Sequence, residues 1–173
     1  MKKGYKWSLI GLGVLIFIGI TYFIAHAYFK NKMEYYEVAQ KGQMVGYWEL
    51  VQWNDEMKQQ NKINPWPFNY QWFGIYEDGR FYSYMANEKA DIGATQLEKL
   101  FNSAQGNITY TYDQGLMKVN YKDFPNINEV WAVTVVTKKT EKNGVEFLPG
   151  DLIMSIANEK GETVYYRHLR KVS

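Results

Sequence analysis

The 23 residues from Trp7 to Phe29 contain no Asp, Glu, Lys or Arg, and most are large and apolar. As a helix such a run is about 34 Å long, enough to cross a hydrocarbon core of roughly 30 Å. It divides the chain into a short cytoplasmic segment (1–6), a transmembrane anchor (7–29), a helical or flexible linker (30–42) and a folded domain (43–173). Lys2, Lys3 and Lys6 precede the run, and Lys30 and Lys32 follow it. Acidic residues count little toward orientation, so this bias predicts a cytoplasmic N-terminus and an exported C-terminal domain. The expectation is a single-pass protein of an inner (cytoplasmic) membrane. The alternative is a secretory signal. Ala25-His26-Ala27 fits an A-x-A cleavage site, and cleavage near Ala27 gives a secreted or periplasmic product. The apolar run exceeds the roughly 7–15 residues usual in a signal peptide, which favours the anchor.

After Phe29 there remain 17 basic residues against 18 acidic ones. A near-neutral domain without a basic stripe argues against a nucleic-acid partner. The absence of cysteine excludes disulfides and lipoprotein acylation, so the domain holds together by its core alone. Lys30 to Lys41 has neither Pro nor Gly. It is expected to continue the membrane helix by about three turns, with Gly42 as its stop. The pair Tyr35-Tyr36 suits a membrane–water interface.

From Gln43 onward the dominant period is two. Val45–Trp53 reads as a first strand, with Gly46, Trp48 and Leu50 on one face. Asn54–Pro67 is a polar loop that ends in Asn64-Pro65-Trp66-Pro67. Phe68–Tyr76 and Phe81–Met85 form a hairpin about Asp78-Gly79, where glycine accepts the positive φ of a tight turn. Thr95-Gln96-Leu97-Glu98 fits a capping box, opening a helix with Leu97, Leu100, Phe101 and Ala104 on one face and Gly106 at its end. Strands follow at Asn107–Tyr112, Leu116–Tyr121, Glu129–Thr140, Asp151–Ala157 and Thr163–Val172, with turns at Gln114-Gly115, Asn143-Gly144 and Lys160-Gly161. Eight strands joined mostly by short turns predict an all-β, eight-stranded antiparallel up-and-down barrel with one short helix. Closing the sheet removes edges that invite aggregation. A two-sheet sandwich is the alternative.

Gly46-Tyr47-Trp48-Glu49-Leu50-Val51 looks like the G-x-W opening strand of lipocalin-like members of the calycin superfamily. The ending, Gly150 to Ser155 through Thr163 to Arg170, resembles their closing strands. The resemblance implies that a basic residue of the last strand packs on the first-strand Trp and closes the barrel floor. Trp48 matches that Trp, and Arg167 or Arg170 matches the base, so Gly46, Trp48, Arg167 and Arg170 form the expected closure. An early helix, the lack of cysteines and a membrane anchor all depart from the family pattern.

Five tryptophans (48, 53, 66, 72 and 131) lie beyond the anchor. They imply either an aromatic-lined pocket for an apolar ligand or a core filled with large rings. Trp66 sits in a Pro-flanked loop and is the exception to a simple core role. Trp66, Phe68, Trp72, Tyr110 and Tyr112 are the candidate ligand contacts. With no cysteine and two histidines, thiol catalysis and His/Cys metal sites are excluded. Asp55-Glu56 and Glu77-Asp78 fall in a loop and a turn, where carboxylates are solvated, so no catalytic residue, metal or cofactor is expected. The predicted function is a membrane-tethered, lipocalin-like protein that binds a small hydrophobic molecule or lipid at the outer face of a bacterial inner membrane. The alternative is a filled barrel acting as a non-catalytic module of an envelope protein complex.

Overall fold

The computed structural model describes residues 34–53, 70–104, 106–158 and 162–173. The uncharged run and the segment 54–69, with Trp66 and Phe68, lie outside the described residues. Among the described residues no helix is long and apolar enough to cross a membrane. Eight antiparallel strands follow the order β4-β3-β2-β11-β10-β7-β6-β5. They are β2 (Gly46–Trp53), β3 (Tyr70–Ile75), β4 (Phe81–Ala86), β5 (Ile108–Asp113), β6 (Leu116–Tyr121), β7 (Asn128–Val136), β10 (Leu152–Ala157) and β11 (Thr163–Lys171). Each strand pairs with its chain neighbour in this series, except β4 with β5, and β11 returns to β2. The sheet is therefore an up-and-down barrel, nearly closed. Its two ends meet only beside the start of β4, where Arg80 bridges Thr109 and the Tyr110 N–H donates to the Gly79 carbonyl at 2.7 Å.

Alternation decides what fills the barrel. Trp48, Phe73, Ile75, Phe81, Tyr110, Met117, Val119, Trp131, Val133, Leu152, Met154 and Leu169 point inward and form one core. A second, smaller core lies outside the wall. There α2 (Ala94–Ser103) buries Leu97 and Phe101 against Trp72 and Tyr82. Both faces of β3 are thus covered, which explains its unbroken run of buried residues from Gln71 to Ile75.

The helix differs from the capping-box expectation. Its N-cap is Gly93, whose N–H is satisfied by the Gln96 side chain at 2.9 Å, and Thr95 already lies within the first turn. The linker expectation is corrected more strongly. Tyr36–Val38 is a strand, β1, and Gly42 lies inside a four-residue helix, α1 (Lys41–Met44), rather than at a helix end. β7 overhangs β6, and its free edge from Thr134 to Val136 is the partner that draws β1 into the sheet. Ala39 and Met44 then reach into the core at that end of the barrel. The strand expected over Glu129–Thr140 stops at Val136, and Thr140–Lys142 pairs instead with Val145–Phe147 in a separate hairpin, β8–β9. At its turn Asn143 and Gly144 take φ of 55° and 76°.

Candidate functional site

On β11 the alternation that buries Leu169 also turns Arg167 into the barrel, where only 7% of the residue is exposed. Its guanidinium carbon lies 4.6 Å from the centre of the Trp131 ring and 5.5 Å from those of Phe73 and Tyr165. Its Nε donates to the Tyr165 hydroxyl at 3.1 Å. Trp131 in turn donates from Nε1 to Glu129 Oε2 at 3.1 Å. Burial pushes the Tyr121 hydroxyl up to about 12, with the charge and hydrogen bond of Glu129 adding to the rise and Arg167 opposing it. Gln71 Nε2 donates to Ser83 Oγ at 2.8 Å on the β3–β4 side. Among the described residues no carboxylate lies within ion-pairing distance of Arg167. Burying a cation is costly, and aromatic faces offset only part of that cost. A planar fork of N–H donors in such surroundings suits bidentate binding of a carboxylate or phosphate.

The expected closure is corrected in one particular. The cation over Trp48 is Lys171, with Nζ 5.5 Å from the ring centre, whereas Arg167 stacks on Trp131. Register is the reason, because Lys171 is the direct cross-strand partner of Trp48. Trp48 also donates from Nε1 to the Met44 carbonyl at 2.8 Å. Gly46, at φ +138°, leaves room for the lysine stem, since a Cβ there would sit 3.0 Å from Lys171 Cε.

Arg170 points the other way. Its Nε and Nη2 hold Asp151 at 3.1 and 2.9 Å, and Nη2 also donates to the Glu146 carbonyl at 2.8 Å. His168 Nε2 lies 2.6 Å from the same carboxylate, and the Leu148 N–H donates to it at 2.9 Å. Phe147 stacks flat on His168, with ring centres 4.3 Å apart. This buried cluster ties the β8–β9 hairpin to the barrel wall. Of its polar atoms, His168 Nδ1 has no hydrogen-bond partner.

Of the five candidate ligand contacts, the three among the described residues do not converge. Tyr110 donates to the Tyr76 carbonyl at 2.7 Å and Tyr112 to the Ala39 carbonyl, so both hydroxyls tie chain segments together. Burial raises the pKa of each. Trp72 is on the outer wall, between Tyr70 and Tyr84 and next to α2. Trp66 and Phe68 lie outside the described residues. Of the cluster around Arg167, Trp131, Tyr165, Glu129 and Tyr121, Arg167 alone is singled out by the sequence, and as a closing residue rather than a ligand contact. Its signal was present in the alternation Tyr165, Arg167, Leu169, which puts an arginine on the face of a core leucine.

Among the described residues no three His, Asp or Glu side chains are grouped to hold a metal ion. Comparison with known proteins finds no matching family model, no similar curated protein and no similar solved structure.

Proposed function

We propose that the chain is a membrane-tethered, lipocalin-like barrel that binds a small, largely apolar molecule with an acidic head group, on the exported side of the inner membrane. The observation that carries this reading is the Arg167 guanidinium, buried among aromatic rings inside the barrel. The acid of the ligand takes the arginine fork, while its apolar part lies among the inward-facing aromatic and aliphatic side chains. Tethering keeps the barrel beside the bilayer that supplies such a molecule. The uncharged run from Trp7 to Phe29 and its flanking lysines support the tether. The barrel half adds the Trp48 floor with its overlying cation, which supports the lipocalin likeness.

One observation favours the second reading, a filled barrel that serves as an envelope interaction module. Trp48, Met117, Leu152 and Leu169 are almost wholly buried inside the barrel, and Phe73 and Met154, equally buried, flank Arg167 itself.

Native mass spectrometry of the detergent-extracted full chain separates the two. The ligand reading expects a co-purified acidic lipid or lipid-like molecule. It further expects that adduct to disappear in Arg167→Met, with the circular dichroism of the wild type retained. A wild-type protein that carries no adduct and fails to bind a fluorescent fatty-acid probe overturns the reading and leaves the module.

A further inference from the structure

We propose that the outer wall formed by β1, β6 and β7 rests on the bilayer that holds the anchor. The inference depends on the anchored reading of residues 7–29. Val38, Leu116 and Val130 are 59%, 52% and 44% exposed. Cross-strand partners share a face of a sheet, and the registers Val38↔Thr134, Leu116↔Ala132 and Lys118↔Val130 place these residues on one outer face of the barrel, with the exposed Lys118 beside Val130. Their chain neighbours Met117, Trp131 and Val133 fill the inside. Val38 sits close over the β5–β6 turn, since a Cβ on Gly115 would lie 2.6 Å from Val38 Cγ1, so β1 continues the face that β6 begins. Beyond the other end of β6, the loop to β7 presents Phe124 and Ile127, 61% and 46% exposed.

The place where the chain enters this wall favours the bilayer as its occupant. Residues 30–35 alone separate Phe29, the end of the uncharged run, from Tyr36, the start of β1. Glu34 and Tyr35 are helical, so the stretch spans less than the roughly 25 Å it would reach fully extended. The strand that opens the apolar face is thus leashed to the membrane surface. A patch of a few aliphatic side chains is too small to recruit a free protein to a membrane. A tethered domain meets the surface at high effective concentration, so modest apolar burial sets its orientation.

The absence of cysteine makes the test clean. Single cysteines at Val38, Leu116, Val130 and Glu49 are labelled with bimane in the full chain. The chain is reconstituted in phosphatidylethanolamine–phosphatidylglycerol vesicles that contain a nitroxide-bearing lipid. Glu49 lies on β2, three strands round the barrel from β7. The expected result is at least twofold stronger quenching at positions 38, 116 and 130 than at 49. Equal quenching at all four positions, or none at any, overturns the inference. So does efficient disulfide formation between two Leu116→Cys copies without quenching, which assigns the wall to a second copy. Failure of the unlabelled chain to float with the vesicles overturns the anchored reading itself, and this inference with it.

Discussion

Asp151 shows how one side chain can decide whether a surface element stays in place. Burial by itself would raise its carboxyl, but hydrogen bonds from His168, Arg170 and the Leu148 N–H outweigh that and bring it down to about 2, against an ordinary 3.8. A depressed pKa in the folded state contributes stability that is fully present above the unfolded value, near pH 4. That stability is lost as the pH falls through the folded value. The shift corresponds to about 2 kcal/mol. Urea midpoints of the wild type are therefore expected to hold steady from pH 6 to 4 and to fall steeply toward pH 2. Removing the carboxylate leaves His168 and Arg170 without their partner. Asp151→Ala is expected to cost about 3 kcal/mol at pH 7 and to flatten the acid arm of that profile. A single pH-independent midpoint in the wild type contradicts this account.

At the scale of elements, α2 depends on the absence of a side chain beneath it. A Cβ on Gly74 would lie 2.8 Å from Phe101 Cδ2, closer than packed atoms tolerate, and a tight 3.1 Å from Tyr76 Cε2. Gly74→Ala is expected to destabilise by about 1–3 kcal/mol through overpacking. Phe101→Leu made on that background should recover part of the loss, so that the two changes are non-additive in chemical denaturation. The barrel strands themselves were legible because period-two alternation and glycine turns are local signals. Gln114 and Gly115, for example, take the positive φ of 46° and 88° that the tight β5–β6 turn requires. The three-residue strands β1, β8 and β9 were not legible. β1 exists because of a distant partner, the overhang of β7. β8 and β9 pair locally about the legible Asn143-Gly144 turn, and what no local signal shows is their docking on the wall through Asp151 and Arg170. Nor does alternation say which face is inward when both are apolar. Trp72 shares an apolar strand with Phe73, and only the arrival of α2 on the outer wall settles which ring is core. The helix start was misplaced for a related reason. Thr95 and Glu98 have capping chemistry, but Gln96, three residues after Gly93, is the side chain that accepts from the N-cap N–H.

For the whole molecule, the seam between β4 and β5 is the weakest join. Every other neighbouring pair in the barrel shares a ladder, whereas this one has the Arg80–Thr109 bridge, the Tyr110–Gly79 backbone bond and the Tyr110 hydroxyl on the Tyr76 carbonyl. All three lie beside the β3–β4 turn. Past Phe81, β4 pairs with β3 alone, and the chain makes its detour through α2 before returning as β5. The fold was therefore legible as a barrel, while its opening was not, because strand counting registers strands and not the ladders between them. Local opening samples the least supported contacts first. Amides of Tyr82–Ala86 that face β5 are expected to exchange hydrogen much faster than those of β2 and β11, which have ladders on both sides. Tyr110→Phe removes one of the three fastenings, worth about 1 kcal/mol. It should accelerate exchange at the seam about fivefold while leaving the β10–β11 amides unchanged. If the Arg167 site holds a ligand, the same variant should speed ligand release more than it lowers the unfolding midpoint, because the seam widens without the core being disturbed. Uniform acceleration across all strands would instead mean that the barrel opens as one unit and that the seam is no gate.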